Sequence, residues 1–435
     1  MSIQKLFQKQ IDYLYSFAPT KDFKFPGEHG LKRTKFLLHK LKDPQEKIKV
    51  IHVAGTSGKG STCYILSSIL IGQGYKVGLS LSPHLLDIRE RTQINNQFLS
   101  KELYCKYFDE IKPAIKFVSE KLNSSPTHFE ILTALNYYIF NKEKVDYAIM
   151  ETGLGGTYDA TNVVINQNKL SIITKIGFDH ISILGNTLSK IAAQKGGIIN
   201  PFSTLITTKQ SKKVTETLRN ICLIKNTKII QLDKNNFKQL KESTFSYKYK
   251  SLYLPEVHIS LLGDYQIENT TLAITSLLFI GERDKFIINI DLLLKSLNHL
   301  KFLGRFSIYL IRSRIVIFDG AHNTQKMNSF ITSLMHKYPN KLFNFLIAFK
   351  HKKDYNKMLN TIIPVANHIT LTSFGLKLFN VGLLSNSLNK NHFINFDVYN
   401  DPNEALTKLL KDSSKLPIIV TGSLYLLPKF SRYLK

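Results

Sequence analysis

The run Gly55-Thr56-Ser57-Gly58-Lys59-Gly60-Ser61-Thr62 combines the residue types that hold phosphate. Glycine and other small residues let the main chain turn tightly and aim N–H groups at anionic oxygens. The apolar run KIKVIHVAG precedes it as a short buried strand ending at Gly55, and a helix is predicted from about Ser61 to Gly72. The loop therefore opens onto a helix N-terminus, whose unpaired donors and dipole favour an anion. Lys59 can place its ammonium on the outer phosphates, and Ser61 or Thr62 can offer a hydroxyl to a phosphate-bound Mg²⁺. The run departs from the general GxxxxGK[ST] pattern. Val53 stands where the first Gly would be, and Gly60 follows the lysine. A glycine turn capping an ordinary helix has the same composition, but the strand before and helix after favour phosphate binding.

Other chemistry-bearing residues stand at strand ends. Ser82-Pro83-His84 ends the strand YKVGLSLS, Glu151 ends VDYAIMETG, and Asp179-His180 follows LSIITKIG. In an open parallel sheet, ligands gather beyond the carboxyl ends of the strands, so these residues are expected to converge above the phosphate loop. A carboxylate closing an apolar strand is costly to bury without a cation or donors, which makes Glu151 the preferred Mg²⁺ ligand. A cap or a structural ion pair is its alternative reading. Ser82 can supply an oxygen or cap a turn. His180 can ligate a second cation or serve as a structural hydrogen bonder, and Asp179 is expected to orient the loop.

These groups need a scaffold. Strand, glycine loop, helix, strand is the parallel-sheet unit with a right-handed crossover. Helices are predicted over residues 100–122, 129–142, Thr187–Lys195 and Ile267–Leu278, the last with Asn269 in its first turn. STLITT reads as a further strand, whereas residues 208–260 are Lys-rich with weak periodicity. After LNHLKFLGRFSIYL, a linking segment, the alternation resumes: SRIVIFDGAHN, a helix over 324–337, LFNFLIAF, NHITLTSF, a helix over 402–411, and PIIVTGSLY. The expected fold is α/β. A P-loop-type parallel-sheet ATPase domain over residues 1–299 is followed by a smaller Rossmann-like α/β domain over 300–435.

Composition narrows the partners. The chain has 435 residues, 43% hydrophobic and 21% charged, the balance of a soluble globular protein rather than a disordered one. Its formal net charge is +27, which suits ATP and polycarboxylate substrates. The lysines are dispersed apart from short runs at 212–213 and 350–353, with no aromatic-interleaved basic motif, so no nucleic-acid partner is expected. Cys63, Cys105 and Cys222 are widely spaced without a CxxC pair, which fits a reducing, cytoplasmic setting. No signal-peptide run or transmembrane stretch is expected, and hence no membrane partner.

Several blocks, in order, resemble the folylpolyglutamate synthase and dihydrofolate synthase family of the Mur ligase superfamily. HVAGTSGKGST at 52–62 is similar to its nucleotide loop, where Asn commonly replaces Ser57. LSPHL at 81–85, ETGLGGTYDATN at 151–162 and IGFDHISILGNTLSKIAAQKGGII at 176–199 resemble its next blocks. So do GDYQIENTTLA at 263–273, LGRF at 303–306, DGAHN at 319–323 and VTGSLY at 420–425.

The resemblance implies an ATP-dependent amide ligase that adds L-glutamate to a folate or dihydropteroate carboxylate through an acyl phosphate. By position it implies Mg²⁺, as two ions, held by Ser61, Ser82, Glu151, His180 and a carboxylated Lys195. Lys59, with Gly55, Thr56, Ser57, Gly58, Gly60 and Ser61, would hold ATP phosphates. Asn269, Arg305, Asp319 and His322 would contact the nucleotide from other elements. Residues near Phe129, Glu130 and Thr133 would help bind pterin, an apolar helix packing on the sheet being the other reading. The family analogy implies a monomer. Gln194-Lys195-Gly196-Gly197 replaces the family's Glu-Lys-Ala-Gly, and the family's acidic motif is altered in FKHKKDYNKM, where Asp354 keeps part of it. Another Mur-type amino-acid ligase and an inactive nucleotide-binding regulator are the competing functions.

Overall fold

A computed structural model describes residues 2–18, 25–350, 353–373 and 381–434. Part of the lysine run at 350–353, and of the altered FKHKKDYNKM block, lies outside the described residues. The chain divides into two compact units: residues 1–238, 247–255 and 268–298, and residues 239–246, 256–267 and 299–435.

In the first unit α1 (Ile3–Tyr15) and α2 (Gly27–Lys40) precede β1 (Lys49–Ala54), α3 (Lys59–Gly72) and β2 (Val77–Ser80). Next come β3 (Gln93–Ile94), β4 (Gln97–Phe98), α4 (Lys101–Lys121), α5 (His128–Lys142), β5 (Tyr147–Glu151) and β6 (Leu170–Ile173). They are followed by α6 (Ile181–Leu184), α7 (Leu188–Gly196), β7 (Thr204–Thr207), α8 (Lys212–Ile224) and β8 (Lys228–Gln231). The eight-stranded sheet has the order β4-β3-β2-β5-β1-β6-β7-β8. It is parallel from β2 to β8, whereas β3 and β4 pair antiparallel at one edge. That antiparallel edge is an addition to the all-parallel expectation. The strands are two residues long, too short to leave a periodic signal.

The central strands are mostly apolar because helices cover both faces. β5 and β6 are buried along their length, as is β1 after Lys49. One face packs Leu37, Phe108, Ile111, Leu135, Phe140 and Ala148 into a core, and a second core joins Ala54, Ile173, Ile191, Leu205 and Leu218. α5 starts at a capping box in which Thr127 and Glu130 satisfy each other's N–H groups. Glu130 also receives a bidentate, buried ion pair from Arg33 of α2, at 2.7 and 2.9 Å. Glu130 is thus used in fixing α5 to α2.

Residues 237–258, weakly patterned in sequence, form the three-stranded sheet of β9 (Phe237–Lys241), β10 (Thr244–Tyr249) and β11 (Leu252–His258). Two helices follow, α9 (Tyr265–Asp284) and α10 (Ile290–Leu297). A side chain at Gly72 would meet Ser296 Oγ at 2.0 Å, so glycine there lets α10 lie close against the end of α3.

The second unit contains β12 (Ser307–Ile311), β13 (Arg314–Phe318), α11 (Thr324–Lys337), β14 (Phe343–Ile347), α12 (Tyr355–Ile362) and β15 (Ala366–Thr372). It ends with α13 (Val381–Lys390), β16 (Phe396–Tyr399), α14 (Pro402–Lys411) and β17 (Ile418–Thr421). Its six-stranded sheet runs β12-β13-β17-β14-β15-β16, with only β12 antiparallel. Asp354 caps α12 by accepting from Lys357 N. No helix among the described residues is long and apolar enough to cross a membrane.

Candidate active site

The phosphate loop joins β1 to α3. Gly55 has φ +145° and Gly58 has φ +91°. A Cβ at Gly55 would sit 1.9 Å from Thr174 Oγ1, and one at Gly58 would sit 2.2 Å from Asn269 Oδ1. Both glycines are therefore required by close approach as well as by φ. The first-turn N–H groups of α3 belong to Lys59, Gly60 and Ser61, and a helix gives such groups no internal acceptor. Thr56 and Ser57 point the other way: their N–H groups donate to Lys175 O at 2.9 and 3.2 Å. The anion-facing part of the loop is thus its second half.

Glu151 ends β5 beside β1, 4.0 Å from the Lys59 ammonium, and accepts from Ser82 N at 2.8 Å. Lys59, Ser82 and Glu151 therefore meet, although Ser82 meets Glu151 through its main chain. Ser61 is buried in the first turn of α3. Lys195, near the end of α7, is 5% exposed and donates to Gly55 O at 2.8 Å. Burial pushes its pKa down to about 7, the Lys59 charge adds to the shift, and Asp179 and Asp159 oppose it. His180 stands apart in character. It starts α6 with φ +51°, its side chain is 48% exposed, and its ring lies 3.8 Å from Asp179. Asp179 also accepts from His180 N at 3.0 Å, the orienting contact expected of it. Asn269 lies on α9 against Gly58, within the first unit.

Arg305, Asp319 and His322 belong to the second unit. Asp319, just past β13, accepts from Phe306 N at 2.9 Å, Ala321 N at 2.8 Å and the Tyr265 hydroxyl at 3.4 Å. Burial raises its pKa against the pull of Arg305 and these donors. Arg305 donates to Gly304 O at 3.1 Å, and its guanidinium lies against Gly320. His322 Nδ1 lies 2.8 Å from Gly320 O, and its Nε2 lies 3.1 Å from Lys326 Nζ.

Among the described residues, no group of three or more His, Cys, Asp or Glu side chains is arranged to hold a metal. The donor set nevertheless fits a magnesium ion bound mainly through phosphate. Such an ion needs one or two carboxylates and keeps several waters, and Glu151 with the Ser61 hydroxyl meets that requirement.

Sequence reasoning missed the residues that hold the loop after Glu151. Asp159 accepts from Leu154 N at 2.6 Å and Thr161 N at 3.0 Å. His52, buried in β1, places Nε2 2.8 Å from Thr161 Oγ1 and 3.0 Å from Thr152 Oγ1. A histidine inside an otherwise apolar strand was the available signal. The Phe129 ring lies over Gly153, where a Cβ would meet it at 2.4 Å, and Thr133 bonds back to Phe129 O.

Residues 53–277 match the Mur ligase middle domain family, and residues 311–433 match the dihydrofolate synthetase C-terminal domain. The chain is 29% identical over 428 residues to the dihydrofolate synthase/folylpolyglutamate synthase of Bacillus subtilis, covering 95% of this chain and 96% of that protein. It is 29% identical over 420 residues to the dihydrofolate synthetase of Saccharomyces cerevisiae, covering 92% and 96%. Among solved structures, the folylpolyglutamate synthase of Thermotoga maritima superposes with a TM-score of 0.84 at 29% identity, covering 100% of this chain and 97% of that one. That of Mycobacterium tuberculosis complexed with ADP shares the fold, with a TM-score of 0.88 at 22% identity over 99% and 98% of the chains.

Proposed function

The chain belongs to the folylpolyglutamate and dihydrofolate synthase family of the Mur ligase superfamily, and from that membership we propose that it uses ATP to join L-glutamate to the carboxylate of a folate or pteroate. The observation that carries this reading is the meeting of Lys59 with Glu151 at the phosphate loop, with the buried Lys195 amine on the loop's own carbonyl.

The chemistry has two bond exchanges. A carboxylate oxygen of the acceptor attacks the γ-phosphorus of ATP, and ADP leaves. The neutral amine of glutamate then attacks the acyl carbon of the resulting acyl phosphate, and inorganic phosphate leaves. The helix N-terminus at Lys59–Ser61 and the Lys59 ammonium hold the transferring phosphoryl group and stabilise its charge. Magnesium, when bound, adds positive charge at the same oxygens. Ser61, Ser82, Glu151 and His180 are the residues that would hold it. Asn269 packs against Gly58 and fixes the loop's bend.

Lys195 would join this set as a carbamate. Its amine takes up carbon dioxide, forming an N–C bond and releasing a proton. Burial keeps the amine neutral and so able to react with carbon dioxide, and the carbamate replaces the Lys59–Lys195 repulsion by attraction. Asn269, Arg305 and His322 are assigned to the nucleotide, Asp319 to holding the turns that present Arg305 and His322, and the Phe129 face near Gly153 to the pterin.

The test is a product assay with purified protein, Mg-ATP and L-glutamate, with dihydropteroate and tetrahydrofolate supplied separately and products resolved by mass. The expected outcome is acceptor-dependent ADP formation with addition of one or more glutamyl masses. ADP formation that requires a nucleotide-linked muramyl acceptor instead, or nucleotide binding without any acceptor-dependent phosphate release, would overturn the reading.

A further inference from the structure

The segment that follows β6 is paired along both edges, although no strand continues beside it. On one edge lies the phosphate loop. Thr174 N donates to Ala54 O at 2.9 Å, Lys175 O accepts from Thr56 N and Ser57 N, and the Thr56 hydroxyl both donates to Gly177 O at 3.0 Å and accepts from Gly177 N at 3.1 Å. On the other edge lies the Gln210 side chain, beside a bond from Lys175 Nζ to Lys209 O at 2.6 Å. Gln210, beyond the end of β7 and 7% exposed, accepts from Ile176 N at 3.1 Å and donates to Thr174 O at 3.0 Å. Its remaining amide hydrogen goes to Thr207 Oγ1 at 3.2 Å, and that hydroxyl donates to Ile173 O at 2.7 Å.

An acceptor for residue 176 and a donor for residue 174 are what the C=O and N–H of one residue of a neighbouring parallel strand would present opposite residue 175. The Gln210 side chain therefore prolongs the β6–β7 ladder past the end of β7. Residues 174–177 touch the phosphate loop directly and run straight into Asp179 and His180. They link the anion-binding turn, by hydrogen bonds, to the segment that carries the imidazole.

We infer that Gln210 is a positioning residue for the ligase reaction, clamping residues 174–177 against the phosphate loop and so setting His180 relative to Lys59 and Glu151. The inference rests on the functional reading above. It concerns a residue that would touch neither substrate nor metal.

Gln210→Met keeps the length and removes all three hydrogen bonds. A displacement near 1 Å at a reacting centre costs on the order of 100-fold. Acceptor-dependent kcat is therefore expected to fall about 30- to 100-fold, with the half-saturating Mg²⁺ concentration raised about 5-fold or more and the acceptor KM changed less than about 2-fold. Gln210→Glu keeps the acceptor for Ile176 N but sets a buried carboxylate oxygen against Thr174 O, so its loss is expected to be at least as large as that of Gln210→Met. Tyr247→Phe, which removes a buried bond to Thr275 elsewhere in the unit, serves as the stability control and is expected to leave the Mg²⁺ dependence unchanged.

Wild-type kcat and Mg²⁺ dependence in Gln210→Met would overturn the inference, as would losses that track melting temperature equally in Tyr247→Phe. Binding of a non-hydrolysable ATP analogue, titrated by calorimetry at several Mg²⁺ concentrations, separates this outcome from failure of the ligase reading. If wild-type protein turns over neither acceptor, an altered Mg²⁺ dependence in Gln210→Met still supports the clamp, and an unaltered one removes it. Should Gln210→Met not fold, Thr207→Val, which removes the hydroxyl that links Gln210 to Ile173 O, gives the same readings with a smaller expected change.

Discussion

Each unit ends an apolar strand with a carboxylate, and the two carboxylates live differently. Glu151 accepts from Ser82 N and faces the Lys59 ammonium at 4.0 Å. Asp319 is surrounded by its own unit's donors, the N–H groups of Phe306 and Ala321 and the hydroxyl of Tyr265. The first arrangement faces a cationic side chain at the end of the phosphate loop. The second fastens the turn after β13. A carboxylate at a strand end is thus an ambiguous sign, and its partners decide between chemistry and architecture.

The largest effect is expected from breaking this contrast directly. Glu151→Gln should lower acceptor-dependent ADP formation by about 10²- to 10³-fold while leaving thermal unfolding close to wild type. Asp319→Asn places an NH₂ against a main-chain N–H and should destabilise the second unit by about 1–3 kcal/mol, seen as a lower melting temperature. If the two variants exchange these signatures, the assignment of roles is wrong.

Two buried lysines extend the comparison. Burial lowers both Lys195 and Lys169 to about 7. Lys195 bonds the phosphate loop, whereas Lys169 precedes β6 at the opposite end of the strand, near Asn162 at 3.4 Å. Lys195→Ala should reduce turnover about 100-fold, with partial recovery when a short carboxylic acid is added in trans. Lys169→Met should leave turnover near wild type and change only stability. Steady-state kinetics with and without added acid distinguishes the two, and equal losses would mean that burial alone was being read.

The smallest expected effect is on acid stability. Burial works against the charge of Asp284, but Arg283, Tyr147 and Lys49 outweigh it and hold the carboxyl near 2. A carboxyl with a folded pKa below its unfolded value stabilises the protein above the unfolded value, and this support is lost as pH falls from about 3.8 toward 2. Asp319 has the opposite sign. Its pKa is raised by burial, so acidification relieves that site until the proton is fully bound, and the relief fades as pH rises through its folded value. Acid titrations followed by probes in each unit should show Asp284→Asn flattening the low-pH loss in the first unit, and Asp319→Asn leaving that loss unchanged.

Much of this was readable from residue order. The phosphate loop lies between a buried strand and a helix, as local composition predicts, and the helices expected at 100–122 and 129–142 run over Lys101–Lys121 and His128–Lys142. Antiparallel edge strands of two residues leave no periodic pattern, β9 and β10 carry lysines on exposed positions, and Pro255 interrupts the pattern of β11. The supports of the site were hidden for another reason. Gln210 meets Thr174 and Ile176, and His52 meets Thr152 and Thr161, across distant parts of the chain. Such pairings depend on strand order, which polar residue types do not reveal.

The ring closed by Asp159 over Leu154 and Thr161 has a thermodynamic consequence. The loop following Glu151 is tied to itself and, through Thr161 and Thr152, to His52 in β1. Its conformational freedom is given up when the chain folds rather than when ligand arrives. Affinity at this end of the sheet is then spared the entropic cost of ordering that loop, and more of the contact energy remains for the reacting groups.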